Sequence, residues 1–352
     1  MLKLLDKILL LLTWTAVAGL TGAYTARYVN PSVFAWPSLL GLAYPYLLIL
    51  NFIFLLYWTG RCKKTAFLSL AVIGLGIPFF MSYYGTHGNA QKETSYDWSV
   101  LSYNVRYFDR YGWNKDKKTK MKLIDYLNRA QADVVCLQEF PTPDYSLQPE
   151  AIIRELSSYR YHSVYKNMAV FSRYPLLQGG QIRFDLPSTG SCQYCDIVKD
   201  KDTVRFYNIH LESYKLGDKE RKIVKNITAG NTDGLSGGLK TIFSRILSAN
   251  KNRAAQVLQF RKHLLRSPYK TVVCGDFNDT PLSYTYQKMR QGLKDSFIEK
   301  GQGLGNTYIG EFPSFRIDYI LHTPEFQTVG YSRDNIALSD HYPIRCTLLK
   351  KK

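Results

Sequence analysis

Six short stretches of the chain each close on residues that could do chemistry. Asn104 closes "SVLSYN", Glu139 closes "DVVCLQE", and His210 and Glu212 close "VRFYNIHLE". Asp276 and Asn278 close "TVVCGDFN", Asp318 sits in "RIDYIL", and Asp340 and His341 precede the last apolar run in "ALSDHYPIRC". Neighbouring residues on a strand point to opposite faces, so one polar residue at a strand end could simply face water. Asp beside His, taken alone, reads as a solvated turn. Apolar runs that repeatedly stop on a carboxylate, an amide or an imidazole read as parts delivered to one place.

The chemistry of such a set is specific. Carboxylates without clustered cysteines suit a hard divalent ion such as Mg²⁺ or Mn²⁺. Two histidines and two amides could hold a phosphate and stabilise its developing charge. A histidine paired with an aspartate can take a proton from water and stay oriented. Together these parts make a metal-assisted phosphoester hydrolase. The chain has no G-x-x-x-x-G-K-[ST] loop, which disfavours an NTPase, and no G-x-S-x-G elbow, which disfavours a serine hydrolase. His87, His162, His263 and His322 have no motif around them and read as structural or surface residues.

Elements that could position these residues follow from periodicity. "DWSVLSYNVRYF" alternates as a strand, "DVVCLQEF" and "KTVVCGDF" read as short buried strands, and "RIDYIL", "FQTVGYS" and "YPIRCTLL" supply the last ones. Strands are also expected around 161–173, 193–199 and 203–210. "DKKTKMKLIDYLNRAQA", "PEAIIRELSS" and "NRAAQVLQFRKHLLR" have helical spacing. Residues 214–250, basic and rich in Gly and Asn at their centre, read as an insertion or mobile loop. Strands and helices alternate while several strands come in pairs, which argues for a layered α/β domain with mixed sheets.

The blocks "LSYNVRYF", "DVVCLQE", "NMAVFSRYPL", "YNIHLES", "GDFND", "RIDYIL" and "SDHYPI", in that order, resemble the signature blocks of the endonuclease/exonuclease/phosphatase superfamily, also called DNase-I-like. The resemblance covers residues 96–350 and implies a four-layered α/β sandwich with the site at one end of two packed sheets. It implies Glu139 as the main metal ligand, with Asn104 helping to hold the metal or phosphate and Asp340 supporting the metal site. His210 would contact the phosphate and assist the leaving group. Asp276 would position the attacking water or a metal, and Asn278 would stabilise the pentavalent phosphorus. Asp318 would orient His341, which would act as base or phosphate ligand. Arg106 either lines the pocket or packs, and Glu212 is either a partner of His210 or a surface carboxylate. Both are candidate substrate-binding residues. A dead copy kept as a scaffold would have lost a ligand or the final histidine, and every block is retained.

The first 90 residues differ in character. Three apolar stretches, roughly Ile8–Ala23, Val33–Trp58 and Ala66–Tyr84, each approach the ~20 residues of a membrane span. Two further stretches after the first argue for an anchor over a cleaved signal peptide. The sequence therefore predicts an anchor of three transmembrane helices over 1–84, a linker over 85–96 and the catalytic domain over 97–350. Lys3 and Lys7 precede the first span, and Arg61, Lys63 and Lys64 fill the turn before the third. By the positive-inside rule these lie in the cytoplasm, which puts the catalytic domain outside it, attached to the inner or plasma membrane.

The net charge is +18, and residues 91–352 carry +13 of it. A basic domain favours an anionic phosphoester: nucleic acid, or a phospholipid or phosphorylated small molecule. The basic stretch 215–253 (Lys215, Lys219, Arg221, Lys222, Lys225, Lys240, Arg245, Lys251 and Arg253) could track a phosphate backbone or lie on anionic lipid. One C-x-x-C, Cys192 and Cys195, is a poor zinc signal, and outside the cytoplasm the pair could form a disulfide.

Overall fold

The computed structural model describes residues 4–87, 95–110, 112–143, 148–185, 189–217, 219–220, 222–223, 226, 235–310 and 315–351. Five helices begin the chain: α1 (Leu4–Thr25), α2 (Trp36–Leu42), α3 (Tyr44–Gly60), α4 (Ala66–Leu75) and α5 (Ile77–Phe80). The 22 residues of α1 are long enough to cross a bilayer, whose apolar core is ~30 Å thick. Helices α2 and α3 meet at 67° and make at most one further span. The bend lies at Ala43, just before Pro45 in the first turn of α3, whose ring removes a backbone N–H.

Three spans were expected; among the described residues one helix, or two if the bent α2–α3 pair counts as one, is long and apolar enough to cross a membrane. The third apolar stretch breaks at Gly76, with Pro78 in the first turn of α5, leaving helices of ten and four residues. Glycine weakens a helix and a proline needs a helix start, so this stretch is two short helices, neither long enough by itself to cross a bilayer. The helices are joined by buried polar contacts. Trp58 Nε1 donates to Thr13 Oγ1 at 2.8 Å, and Asn51 Nδ2 to the Ala16 carbonyl at 3.0 Å. Arg61 pairs with Asp6 at 3.0 Å, so the start of α1 lies beside the end of α3.

The rest of the chain builds two six-stranded sheets. Strand β1 (Gly85–Thr86) pairs apart from them with β11 (Gln302–Gly303). Of the stretch expected as a linker, residues 85–86 thus sit in a strand pair, and residues 88–94 lie outside those described. One sheet contains β2 (Trp98–Asn104), β3 (Val134–Gln138), β4 (Tyr161–Tyr165), β5 (Met168–Ser172), β13 (Phe326–Arg333) and β14 (Ile344–Lys350), in the order 13-14-2-3-5-4. The other contains β6 (Leu176–Ile182), β7 (Ser191–Lys199), β8 (Asp202–His210), β9 (Lys270–Asp276), β10 (Lys294–Asp295) and β12 (Asp318–His322), in the order 10-12-9-8-7-6.

Each sheet has the same plan. One parallel pair, β2 with β3 or β8 with β9, lies at its centre, flanked by antiparallel strands. Parallel strands are covered on both faces and read as unbroken apolar runs, and these do: β3 is buried at every position. Val134, Cys136 and Val170 of one sheet meet Phe206, Val272 and Cys274 of the other between them. Each such side chain contributes about 1.5–3 kcal/mol on burial.

Helices cover the two outer faces. Leu123, Ile124 and Leu127 of α6 (Thr119–Ala130) and Ile152 of α7 (Pro149–Glu155) pack on the first sheet. Ala254, Val257 and Phe260 of α8 (Leu235–Leu264), with Tyr286 and Met289 of α9 (Tyr284–Arg290), pack on the second. The short α10 (Ser296–Lys300) lies against β13 and β12.

Two sequence expectations change here. Helix α8 runs for 30 residues and absorbs part of the expected insertion, because Ile242, Ile246 and Ala249 extend the buried face of Ala254 and Val257 towards the N-terminus. Residues 227–234, with Arg221 and Lys225, lie outside those described. Cys192 and Cys195 are both free. They sit in one strand on opposite faces, Cys195 between the sheets and Cys192 against α8, so a bond between them would require the strand to unravel.

Gly275 makes the second sheet possible at the site. Its φ is +141°, and a Cβ there would lie 1.9 Å from the Ile209 carbonyl oxygen of the neighbouring strand. Gly275→Ala should therefore destabilise the fold by about 3 kcal/mol or more. Gly292 also has positive φ (+76°) but open space around it, and Gly292→Ala should cost about 1 kcal/mol. Thermal melting of both variants checks this; equal shifts would contradict the reading of Gly275.

Candidate active site

The two central parallel pairs run the same way, so their carboxyl ends meet at one end of the sandwich. Asn104 ends β2, Glu139 follows β3, His210 ends β8 and Asp276 ends β9. Asn104 Nδ2 bridges the sheets, donating to Asp276 Oδ2 at 3.2 Å and reaching Glu139 Oε1 at 3.4 Å. His210 Nε2 lies 3.8 Å from both Glu139 Oε1 and Asp276 Oδ2. The antiparallel strand β12 brings Asp318 opposite Asp276 in register. Asp318 Oδ2 and His341 Nδ1 are 2.9 Å apart, and His341 Nε2 is 3.7 Å from Asp276 Oδ2.

Glu139, His210, Asp276, Asn278, Asp340 and His341 line one cavity of about 170 Å³, with Asn104 and Asp318 behind them. Asn278 donates its backbone N–H to Asp276 Oδ1 at 2.8 Å and its side-chain amide to the Leu211 carbonyl at 3.0 Å. The strand ends turn sharply to aim these side chains: Glu139 has φ +51° and Asn278 φ +52°. Arg106 to Asp109, just past Asn104, form a run of positive φ from +45° to +61°. Left-handed backbone costs about 1–2 kcal/mol per residue. Here it is held by Tyr107 N donating to the Glu139 carbonyl at 2.7 Å and Arg106 N to Asn104 Oδ1 at 3.1 Å.

Arg106 and Glu212 stand outside the cavity lining. Arg106 pairs with Asp340 at 3.2 Å and holds that carboxylate at the rim. Glu212 is buried and turned the other way: it accepts from Thr189 N at 2.7 Å and pairs with Lys215 at 2.6 Å. Its carboxylate makes no contact with His210 among those described. Arg253, expected on a basic surface, has a fully buried side chain pairing with Asp279 at 3.2 Å and donating to the Glu212 carbonyl at 2.7 Å.

Several residues at the site carry no sequence signal. The Tyr308 ring packs edge-on against His341, with centroids 5.2 Å apart. Thr307 Oγ1 accepts from the Asp318 backbone at 3.1 Å. Both come from a loop that forms a bridge with the His341 segment, and only the folded chain places it there. Ser339, beside Asp340 in "SDH", donates to the Asn104 carbonyl at 2.8 Å and ties the last motif to the first.

The donor set fits a hard divalent ion. Asp276, Asp318 and His341 offer ligand atoms within 4.8 Å of one another. Asp318 Oδ1 is buried with no hydrogen-bond partner among the described residues. Asp318 Oδ2 and His341 Nδ1 are, however, occupied with each other. Glu139 has the most exposed side chain of the central carboxylates, at 25 %, and makes only long contacts.

The sequence model of the Endonuclease/Exonuclease/phosphatase family matches residues 101–341, and that of a domain of unknown function matches residues 6–83. No curated protein matches the chain. Similar solved structures include an endonuclease/exonuclease/phosphatase family protein from Bacteroides thetaiotaomicron, with 17 % identity and TM-score 0.50, over 72 % of this chain and 96 % of that one. D. rerio TDP2 complexed with a single-strand DNA product has 17 % identity and TM-score 0.51, over 71 % and 98 %. The endonuclease/exonuclease/phosphatase from Beutenbergia cavernae has 16 % identity and TM-score 0.51, over 73 % and 72 %. At these identities the structures share the fold of two mixed sheets. The family match adds the chemistry that the converged carboxylates, amides and imidazoles can do: this chain belongs to the Endonuclease/Exonuclease/phosphatase family and is a phosphoester hydrolase.

Proposed function

We propose that the chain is a membrane-anchored, divalent-metal-dependent phosphoesterase that hydrolyses P–O bonds by attack of water. Its anchor is residues 1–84 and its catalytic domain residues 97–350. The observation that carries this reading is the meeting of Asn104, Glu139, His210, Asp276, Asp318 and His341 at one end of both sheets. Asp276, which lies beside Asn104, His210 and His341 together, orients the attacking water. His341, fixed by Asp318, and His210, on the other side, face the phosphoryl oxygens, with His210 towards the leaving group. Asn278 stabilises the crowded phosphorus. Mg²⁺ or Mn²⁺ would be held by Glu139 with Asn104 and Asp340 around it. Such an ion, when bound, supplies positive charge against the phosphate and a more acidic water.

The anchor reading rests on α1 and the bent α2–α3 pair. Arg61, Lys63 and Lys64 cluster beside the start of α1. The catalytic domain contacts the opposite end, where Arg27 bonds Gln287 and Ser38 accepts from Asn250 at 2.6 Å. From the basic end α4 and α5 lead the chain back to the opposite end, where Ser82 meets Arg316; with the basic end in the cytoplasm, the catalytic domain faces away from it. A nuclease is the second reading, favoured by the basic charge of residues 91–352 and by the DNA product in the D. rerio TDP2 structure.

The full chain in detergent micelles, given bis(p-nitrophenyl) phosphate and Mg²⁺, should release p-nitrophenolate, and EDTA should stop it. His341→Ala and Asp276→Asn should each lower kcat by about 100-fold or more. Glu139→Gln should raise the Mg²⁺ concentration needed by about tenfold or more. Wild-type kcat in His341→Ala would overturn the assignment of the centre.

A second prediction concerns the ion-free protein. Burial opposes the charge of His341, but Asp318 and Asp276 outweigh it and raise its pKa from 6.5 to about 10. The folded state thus holds this proton more tightly than the unfolded chain. Its contribution is complete below pH 6.5 and is lost as pH rises through about 10. Asp276 is pushed up to about 6 by burial and by Asp318, so its ionisation lowers stability as pH rises from 3.8 to 6, and the cost stays in place above that. In chelator, Asp318→Asn should be less stable than wild type at pH 7, and the gap should narrow by about pH 10.5. Urea denaturation at the two pH values measures it; an unchanged gap would refute the pairing.

A further inference from the structure

The cavity wall does not belong to the catalytic domain alone. Leu42, the last residue of α2, lines it together with the catalytic residues. The position of α2 is fixed by packing. Gly41 lies 3.8 Å, measured from where a Cβ would stand, from the Leu282 carbonyl. Asn250 donates to Ser38 at 2.6 Å, and Arg27 bonds Gln287. Arg316, fully buried, donates to the Ser82 carbonyl at 2.8 Å just past α5. Helix α2 is therefore held to the domain through Ser38 and Gly41, and the segments before and after it through Arg27 and Ser82.

The shape and lining of the mouth are selective. At about 170 Å³ the cavity admits a phosphoryl group, well short of the roughly 300–1,000 Å³ that encloses a whole ligand. The rest of the substrate must lie outside it, and the lining that it passes includes Leu42, Leu216, Phe315 and Ile317. Among the described lining residues the only Lys or Arg is Lys215, which is already paired with Glu212. A nucleic-acid backbone calls for a track of available cations, and the described lining offers none beyond Lys215. The connection leading into α2 exposes Val33, Phe34 and Trp36 at 85 %, 54 % and 62 %, the kind of side chains that settle at a membrane interface. Resting on the phosphoesterase reading above, we infer that the substrate is an amphiphilic phosphoester, taken from the lipid surface in which the anchor sits, with its apolar tail leaving the cavity past Leu42.

In the reaction water adds its oxygen to phosphorus, the P–O bond to the leaving group breaks, and the proton of water ends on the departing oxygen or in solvent. The test compares two diesters with one leaving group, p-nitrophenyl hexadecyl phosphate and p-nitrophenyl ethyl phosphate, on the full chain in mixed micelles with Mg²⁺. The hexadecyl ester should have a kcat/KM higher by at least about tenfold, the effect of sheltering about two CH₂ groups. Leu42→Asp should reduce that ratio about tenfold, and Leu42→Met should keep it. The ratio is read within each variant, so partial loss of folded protein does not move it. A ratio near one in the wild type, or a ratio unmoved by Leu42→Asp, would overturn the tail site while leaving the phosphoesterase standing. Nicking of supercoiled plasmid with neither ester cleaved would move the substrate to nucleic acid. Silence on all three substrates would instead remove the phosphoesterase reading itself.

Discussion

The bond from Asn104 to Asp276 joins the last residues of β2 and β9, in two sheets that meet mainly through apolar side chains. One layer beneath it a second bridge does the same. Gln138 Nε2 donates to Asn208 Oδ1 at 2.7 Å, and Asn208 Nδ2 donates to the carbonyls of Leu137 and Ala169 at 2.8 and 3.0 Å. Apolar packing is non-directional and would tolerate sliding of one sheet over the other. Buried amides are costly unless paired, so these contacts select one register. In that register four strands end together. Every distance in the site depends on it: Glu139 comes from one sheet, Asp276 and His210 from the other.

The site is held under local strain. Glu139, Asn278 and the run Arg106–Asp109 occupy left-handed backbone without being glycine. Such positions persist when the surroundings over-determine them. Here the determinants are short bonds between neighbouring strand ends, such as Phe140 N to the Asn167 carbonyl at 2.8 Å. The same crowding explains Gly275, where the neighbouring carbonyl leaves no room for a Cβ next to the Asp276 carboxylate.

The apolar N-terminal helices are packed into the enzyme. Leu282, four residues past Asn278, is buried in one cluster with Leu20, Ala23 and Tyr44. Arg253 links Asn250, which touches α2, to Asp279 and the Glu212 carbonyl beside the site. Charged groups this deep need partners, and each partner here comes from a different element. The helices and the catalytic centre thus share one set of buried contacts.

How much of this was legible beforehand can be argued from particular residues. The centre was readable because strand ends expose polar residues against apolar runs, and six such endings in an order typical of one family leave little room for chance. The chain alone also determined the mixed α/β class, through alternating periodicities, and the apolar character of the first 84 residues. It did not determine how many apolar stretches are long enough to span, since Gly76 and Pro78 act on helix continuity, which hydropathy does not weigh. Nor did it place Glu212 or Arg253, whose types suggested a site and a surface but whose burial gave them to Thr189, Lys215 and Asp279. Tyr308 and Leu42 reach the cavity, and Thr307 the backbone of Asp318, from segments without any motif. Local patterns record what a residue could do. Which groups lie within reach of it is set by long-range packing, and only the tertiary structure decides that.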